Sequence, residues 1–95
     1  MSKPLSSPKI KAALRDLPGW SFKRDGLVKT FEFGSFPEAL SYMVRAGFQA
    51  EAMNHHPDWS NSWNRVSISL STHDAGGVVT EGDVALAEAI NQLSS

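Results

Sequence analysis

The chain of 95 residues contains no cysteine, which excludes disulfide staples and thiolate chemistry and makes a reducing cytosol the simplest compartment. It has no apolar run approaching the roughly 20 residues of a membrane span, and its N-terminus lacks the apolar core of a signal peptide. Nine Lys and Arg set against ten Asp and Glu leave a formal net charge of -1, far from the clustered basic surface that nucleic acid demands. Repeats, linkers and low-complexity segments are absent as well. What remains is a cytoplasmic protein with one domain over residues 1–95, in which residues 1–7 are expected to form a disordered tail. A chain of this size buries roughly 60–65% of its unfolded surface, enough for one core with little margin. Association with further copies is a natural supplement.

The elements follow from capping and periodicity. Ser7 offers an N-cap and Pro8 a first helical position, and Ile10, Ala13, Leu14 and Leu17 recur at helical spacing, predicting a helix over Pro8–Asp16 that Pro18-Gly19 ends. Trp20–Arg24 and Leu27–Phe33 flank Asp25-Gly26, a dipeptide that favours a two-residue hairpin turn. That register places Trp20, Phe22, Leu27, Phe31 and Phe33 on a core face. Ser35 and Glu38 suggest a capping box, and Phe36, Ala39, Leu40, Met43, Val44, Ala46 and Ala50 predict a helix of about 18 residues ending near Met53 or Asn54. Asp58–Ser60 reads as a short strand followed by a turn at Asn61-Ser62. Arg65–Thr72 alternates, with Val66, Ile68, Leu70 and Thr72 inward and Ser67, Ser69, Ser71 and His73 outward. After the turn Ala75-Gly76-Gly77, Thr80 and Asp83 form a second capping box ahead of a helix over Glu81–Leu93. The expected class is α+β: a four-stranded antiparallel sheet with three helices packed on one face, in the order α-β-β-α-β-β-α. Edge strands of such a sheet invite pairing with a second copy.

All three histidines, His55, His56 and His73, lie between Glu51 and His73 together with Trp59 and Trp63. Imidazole has an unperturbed pKa near 6.5, so it gives and takes protons near neutrality. Pro57 disfavours helix at His56 and sets the first two histidines where helix becomes loop. Bland explanations exist for each residue alone: a cation at a helix C-terminus, an exposed strand end, core tryptophans, and for Asp83 a cap. Three histidines suit zinc, but neighbouring ones do not readily converge on one ion and no H-E-x-x-H spacing is present, so no metal and no cofactor are expected. An aromatic stripe for nucleic acid needs interleaved basic residues, and only Arg65 is near.

The pattern Glu51, three residues, His55-His56-Pro57, five residues, Trp63, nine residues, His73, and then Asp83 resembles the signature of the pterin-4a-carbinolamine dehydratases. The likeness extends over roughly residues 20–93, through Asp58-Trp59-Ser60-Asn61 and the turn Leu70-Ser71-Thr72-His73-Asp74-Ala75-Gly76-Gly77. Val78-Val79 makes the following loop one residue longer than expected, and Trp63 stands where the family often has Tyr. The resemblance implies dehydration of a 4a-hydroxytetrahydropterin to the quinonoid dihydropterin and water, in recycling of a tetrahydrobiopterin-type cofactor. It implies His55, His56 and His73 as catalytic residues, and Glu51, Asn54, Pro57, Trp59, Ser71, Thr72 and Asp74 as substrate-binding residues. Homodimers or homotetramers are implied too, with a small-molecule pterin as the other partner and neither nucleic acid nor membrane. The competing expectation is a pterin-binding or dimerisation module without important turnover.

Overall fold

The computed structural model describes residues 3–94. In chain order the elements are α1 (Ser7–Leu14), β1 (Ser21–Lys23), β2 (Gly26–Glu32), α2 (Phe36–Ala52), β3 (Asp58–Ser62), β4 (Arg65–Leu70) and α3 (Glu81–Leu93), with a short 3-10 turn at His73–Ala75. The strands form one antiparallel sheet in the order β1-β2-β4-β3. The expected α+β class and element order stand. Leu27, Phe31, Val66, Ile68 and Leu70 point from the sheet into a core completed by Leu17, Tyr42, Leu86 and Ile90. Tyr42 joins two helices by donating its hydroxyl to the Ile90 carbonyl at 2.8 Å.

Met1 and Ser2, part of the expected tail, lie outside the described residues. From Leu5 the chain is tied down, because the Leu5 N–H donates to the Val79 carbonyl at 2.9 Å. Helix α1 starts one residue earlier than expected, with Ser6 as its N-cap.

The first hairpin turns at Arg24-Asp25 rather than at Asp25-Gly26. Both turn residues take positive φ, 51° and 61°, and Lys23 pairs with Gly26. Gly26 is needed elsewhere: a Cβ there would lie 3.0 Å from Ser69 Oγ and 3.2 Å from the Leu70 carbonyl. Moving the turn back one residue shifts the register by two, so each side chain keeps its face. Phe22 therefore stays on the same face but lies opposite Leu27 instead of Lys29, yet β1 is a three-residue edge strand and Phe22 remains 42% exposed. Strand β3 is longer than expected, and its turn falls at Trp63-Asn64 because Asn61 and Ser62 pair with Val66 and Arg65.

Helix α2 is apolar on two sides, where periodicity predicts one. Ala39, Tyr42, Ala46 and Ala50 are buried, while Phe36, Leu40, Val44 and Phe48 form an exposed i, i+4 stripe. Alanine lets the helix lie close to the sheet and leaves the bulkier residues outward. Ser35 Oγ accepts from the Glu38 N–H at 3.2 Å, which is the forward half of the expected box.

Replacing Gly26 by alanine should lower stability by about 1–2 kcal/mol, since the Leu70 carbonyl belongs to a central strand and has little room to yield. Urea unfolding followed by circular dichroism measures this. A Gly26→Ala protein as stable as the wild type would show that the Ser69 and Leu70 contacts do not constrain the position.

Candidate active site

Helix α2 ends in a motif that aims the first two histidines. Asn54 adopts φ 51°, its N–H donates to the Glu51 carbonyl at 3.0 Å, and the His55 N–H donates to the Ala50 carbonyl at 3.0 Å. This pair of bonds around a left-handed residue is a Schellman cap, and asparagine is one of the few non-glycine types that suit it. Pro57 then bars further helix, and the chain enters β3 at Asp58.

His73 arrives from the opposite side. The Thr72 N–H donates to the Val78 carbonyl at 2.8 Å, and the Gly77 N–H returns to the Thr72 carbonyl at 3.0 Å. The loop between β4 and α3 is thereby closed as an ordered turn, with Gly76 and Gly77 at φ 91° and 79°, and it brings His73 to the same cleft as His56.

The meeting point is an open cleft of about 350 Å³ lined by Asn54, His55, His56, Pro57, Asp58, Ser71, Thr72, His73 and Asp74. It brings together eight of the ten residues named from the sequence, counting those nine without Asp58. Glu51 stands behind His56, its carboxylate 2.8 Å from His56 Nε2. Trp59 is absent from the cleft lining. Strand alternation turns it to the side opposite Asp58, where it packs against the core, its ring 3.8 Å from where a Cβ on Gly47 would be. Thr72 is buried, and its hydroxyl is taken up by Thr80 and Asp83.

Each histidine has its own carboxylate partner. His55 Nε2 is 2.5 Å from Asp83 Oδ1, His56 Nε2 is 2.8 Å from Glu51 Oε1, and His73 Nε2 is 3.4 Å from Asp58 Oδ2. The environments differ sharply. The His55 and Asp83 side chains are 15% and 0% exposed, whereas those of His56 and His73 are 61% and 69% exposed. Asp83 is an acceptor on both oxygens: Oδ2 receives the Thr80 N–H at 2.8 Å and the Thr72 hydroxyl at 2.8 Å. Such a carboxylate holds the proton of His55 on Nε2 and directs Nδ1 elsewhere. Gly82 makes room for the ring, since a Cβ there would approach His55 Nδ1 to 3.1 Å. The arrangement combines one fixed imidazole with two exposed ones lining the same cleft.

Sequence reasoning placed Asp83 in the family pattern and favoured capping over catalysis for it. It does complete the α3 capping box, and its second oxygen also binds His55. Asp58 went unremarked, and its presence at the cleft depends on sheet register. A larger depression of about 520 Å³ on the open sheet face is lined by Ser21, Lys23, Thr30, Ser60, Ser67 and Ser69 among others. It contains no histidine.

Replacing Asp83 by asparagine should destabilise the fold by about 2–4 kcal/mol, because a buried charged hydrogen-bond centre loses its charge and puts an amide donor among donors. Glu51→Gln, which alters an exposed pair, should leave the unfolding midpoint unchanged. Paired denaturation curves test this, and equal midpoints for the two variants would refute the role given to Asp83.

The family description Pterin 4 alpha carbinolamine dehydratase matches residues 3–93. A relative from Opitutus terrae named for pterin-4-alpha-carbinolamine dehydratase is 53% identical over 90 residues, covering 95% of this chain and 93% of its own length. One from Rhodospirillum rubrum with the same name is 45% identical over 95 residues, covering 98% of each. A crystal structure described as a transcriptional coactivator/pterin dehydratase from Brucella melitensis superposes with a TM-score of 0.93 at 35% identity, covering 98% of this chain and all of that one. A match along nearly the whole chain, at these identities, means that this protein belongs to the pterin 4 alpha carbinolamine dehydratase family.

Proposed function

We propose that the protein dehydrates a 4a-hydroxytetrahydropterin to the quinonoid dihydropterin and water, within recycling of a tetrahydrobiopterin-type cofactor. The observation that carries this reading is that the exposed imidazoles of His56 and His73 line one cleft together with the partly buried His55. In the reaction the C4a–O bond breaks as one imidazolium delivers a proton to the departing hydroxyl. The N5 lone pair forms the C=N bond, and the N5 proton passes to the other imidazole. Imidazole, a side chain that gives and takes protons near neutrality, suits both roles. His55, held by Asp83, orients the substrate or stabilises developing charge. Ser71, Asp74 and the backbone around them offer hydrogen bonds to the heterocycle, while Asn54 and Pro57 shape the wall. The family membership and the names of the relatives support the same chemistry.

Association into homo-oligomers belongs to this reading. The stripe Phe36, Leu40, Val44 and Phe48, from 43% to 74% exposed, is a contiguous apolar surface of the kind that marks protein contact. Among the described residues no helix is long and apolar enough to cross a membrane, in keeping with a cytoplasmic enzyme. A second reading, a pterin-binding or dimerisation module without important turnover, draws on the same stripe and on the coactivator description of the Brucella melitensis structure.

His56→Ala and His73→Ala should each lower kcat/KM for carbinolamine dehydration by roughly 10²–10⁴-fold, the usual range for general acid-base groups, with unchanged circular dichroism. The measurement is the spectroscopic loss of 4a-hydroxytetrahydropterin with purified protein; near-wild-type turnover in both variants would remove these histidines from the chemistry, whereas no turnover by the wild type would favour the second reading. Val44→Asp together with Phe48→Asp should reduce the assembly state in analytical ultracentrifugation, and an unaltered sedimentation profile would remove the stripe as a contact.

A further inference from the structure

The histidine cleft and the larger depression on the open sheet face meet at Asp58, which lines both. The cleft, at about 350 Å³, stands at the lower end of the roughly 300–1,000 Å³ of small-molecule sites, so it has room for a bicyclic ring and little beyond. The neighbouring depression, of about 520 Å³, is where a group attached to that ring can go. Strand alternation joins the two floors. Ser71 belongs to the cleft, and Ser69 and Ser67 follow on the same outward face of β4, a run of about 13 Å from Ser71 to Ser67.

Sheet packing does not account for this floor. Strand β4 is central, with Ser67 between Thr30 and Ser60 and Ser69 between Val28 and Asp58. Cross-strand pairs of β-branched or aromatic residues stabilise a sheet at such positions, and serine forgoes that gain. What serine supplies is a low surface covered with hydroxyls. Thr30 and Ser67 share a hydrogen bond at 3.2 Å, whereas among the described residues the hydroxyls of Ser21, Ser60 and Ser69 have no partner in the chain. Gly26 sets no side chain over Ser69, whose Oγ lies 3.0 Å from where a Cβ on Gly26 would be.

The charges around the floor favour a neutral occupant. Lys29 Nζ is taken up by the Pro18 carbonyl at 2.8 Å and by Asn91 Oδ1 at 2.9 Å, which leaves Lys23 to set against Asp58. Hydroxyls donate and accept alike, so they match a polyol better than an anion or an apolar chain. The chemistry of the ring leads a substituent to the same place. In a tetrahydropterin the C6 atom that carries the substituent is bonded to N5, whose proton passes to an imidazole. His73 Nε2 is 3.4 Å from Asp58 Oδ2, and an N5 edge turned to His73 sends the substituent past Asp58 into the depression.

We infer that this depression is the subsite for a neutral, polyhydroxylated C6 substituent of the pterin, with Ser60 and Ser69 as specificity-determining residues. The inference rests on the dehydratase reading for the ring, and its test separates the two.

The probes are two 4a-hydroxytetrahydropterins, one with a trihydroxypropyl group at C6 and one with a methyl group. In the wild type the trihydroxypropyl compound should have a KM about 10–30-fold lower at similar kcat, the factor that two ordinary hydrogen bonds give. Ser60→Val combined with Ser69→Val should bring the ratio of the two KM values close to one, and valine suits a strand, so circular dichroism should be unchanged. Ser60→Thr combined with Ser69→Thr keeps both hydroxyls and should preserve the ratio. Equal KM values in the wild type, or a ratio that survives the paired valine substitutions, would overturn the subsite. Tighter binding of a phosphorylated substituent than of the trihydroxypropyl group would overturn its neutral character. Should the wild type turn over neither compound, the dehydratase reading fails, and calorimetric titration with the corresponding 7,8-dihydropterins decides the subsite through the same ratio taken in Kd.

Discussion

The carboxylate of Asp83 is the junction on which the architecture of the cleft depends. It has no exposure to solvent and gathers the start of α3 through Thr80, the end of β4 through Thr72, and the end of α2 through His55. A buried charge is tolerable only when its acceptor sites are filled, and here each donor comes from a different part of the chain. The three segments cannot drift apart without stranding the charge. The same requirement that stabilises the junction therefore sets the spacing of the cleft walls.

From that junction the three histidines acquire different characters. His55 is gripped at Nε2 and boxed in by Gly82, so it belongs to the scaffold of the cleft. His56 and His73 answer to carboxylates that are themselves 77% and 66% exposed, and water screens those pairs strongly. One cleft thus combines an imidazole held in place with two whose contacts water can loosen.

Much of this was readable from residue order. The Thr80 and Asp83 capping box, the inward and outward sets of β4 and the break at Pro57 are local features whose causes lie within a few residues. What escaped had causes elsewhere. The turn at Arg24-Asp25 depends on Gly26 meeting β4, and the exposed stripe of α2 depends on three alanines and Tyr42 sufficing for its buried face. Asp83 had a complete local explanation as a cap, which concealed its bond to a histidine 28 residues earlier. Trp59 and Trp63 look equivalent as a pair of nearby aromatics, but strand alternation and a left-handed turn residue send one to the core and the other to solvent.

Helix α2 carries the outward apolar stripe along its length and, on its last turns, Glu51 and the cap that leads into His55. A helix of 17 residues is about 25 Å long and bends little, so it works as a lever. A tilt of a few degrees imposed near Phe36 by whatever packs there displaces the far end by an ångström or more, comparable to the tolerance of a proton-transfer geometry. The exposed apolar stripe and the histidine cleft are thus mechanically one piece.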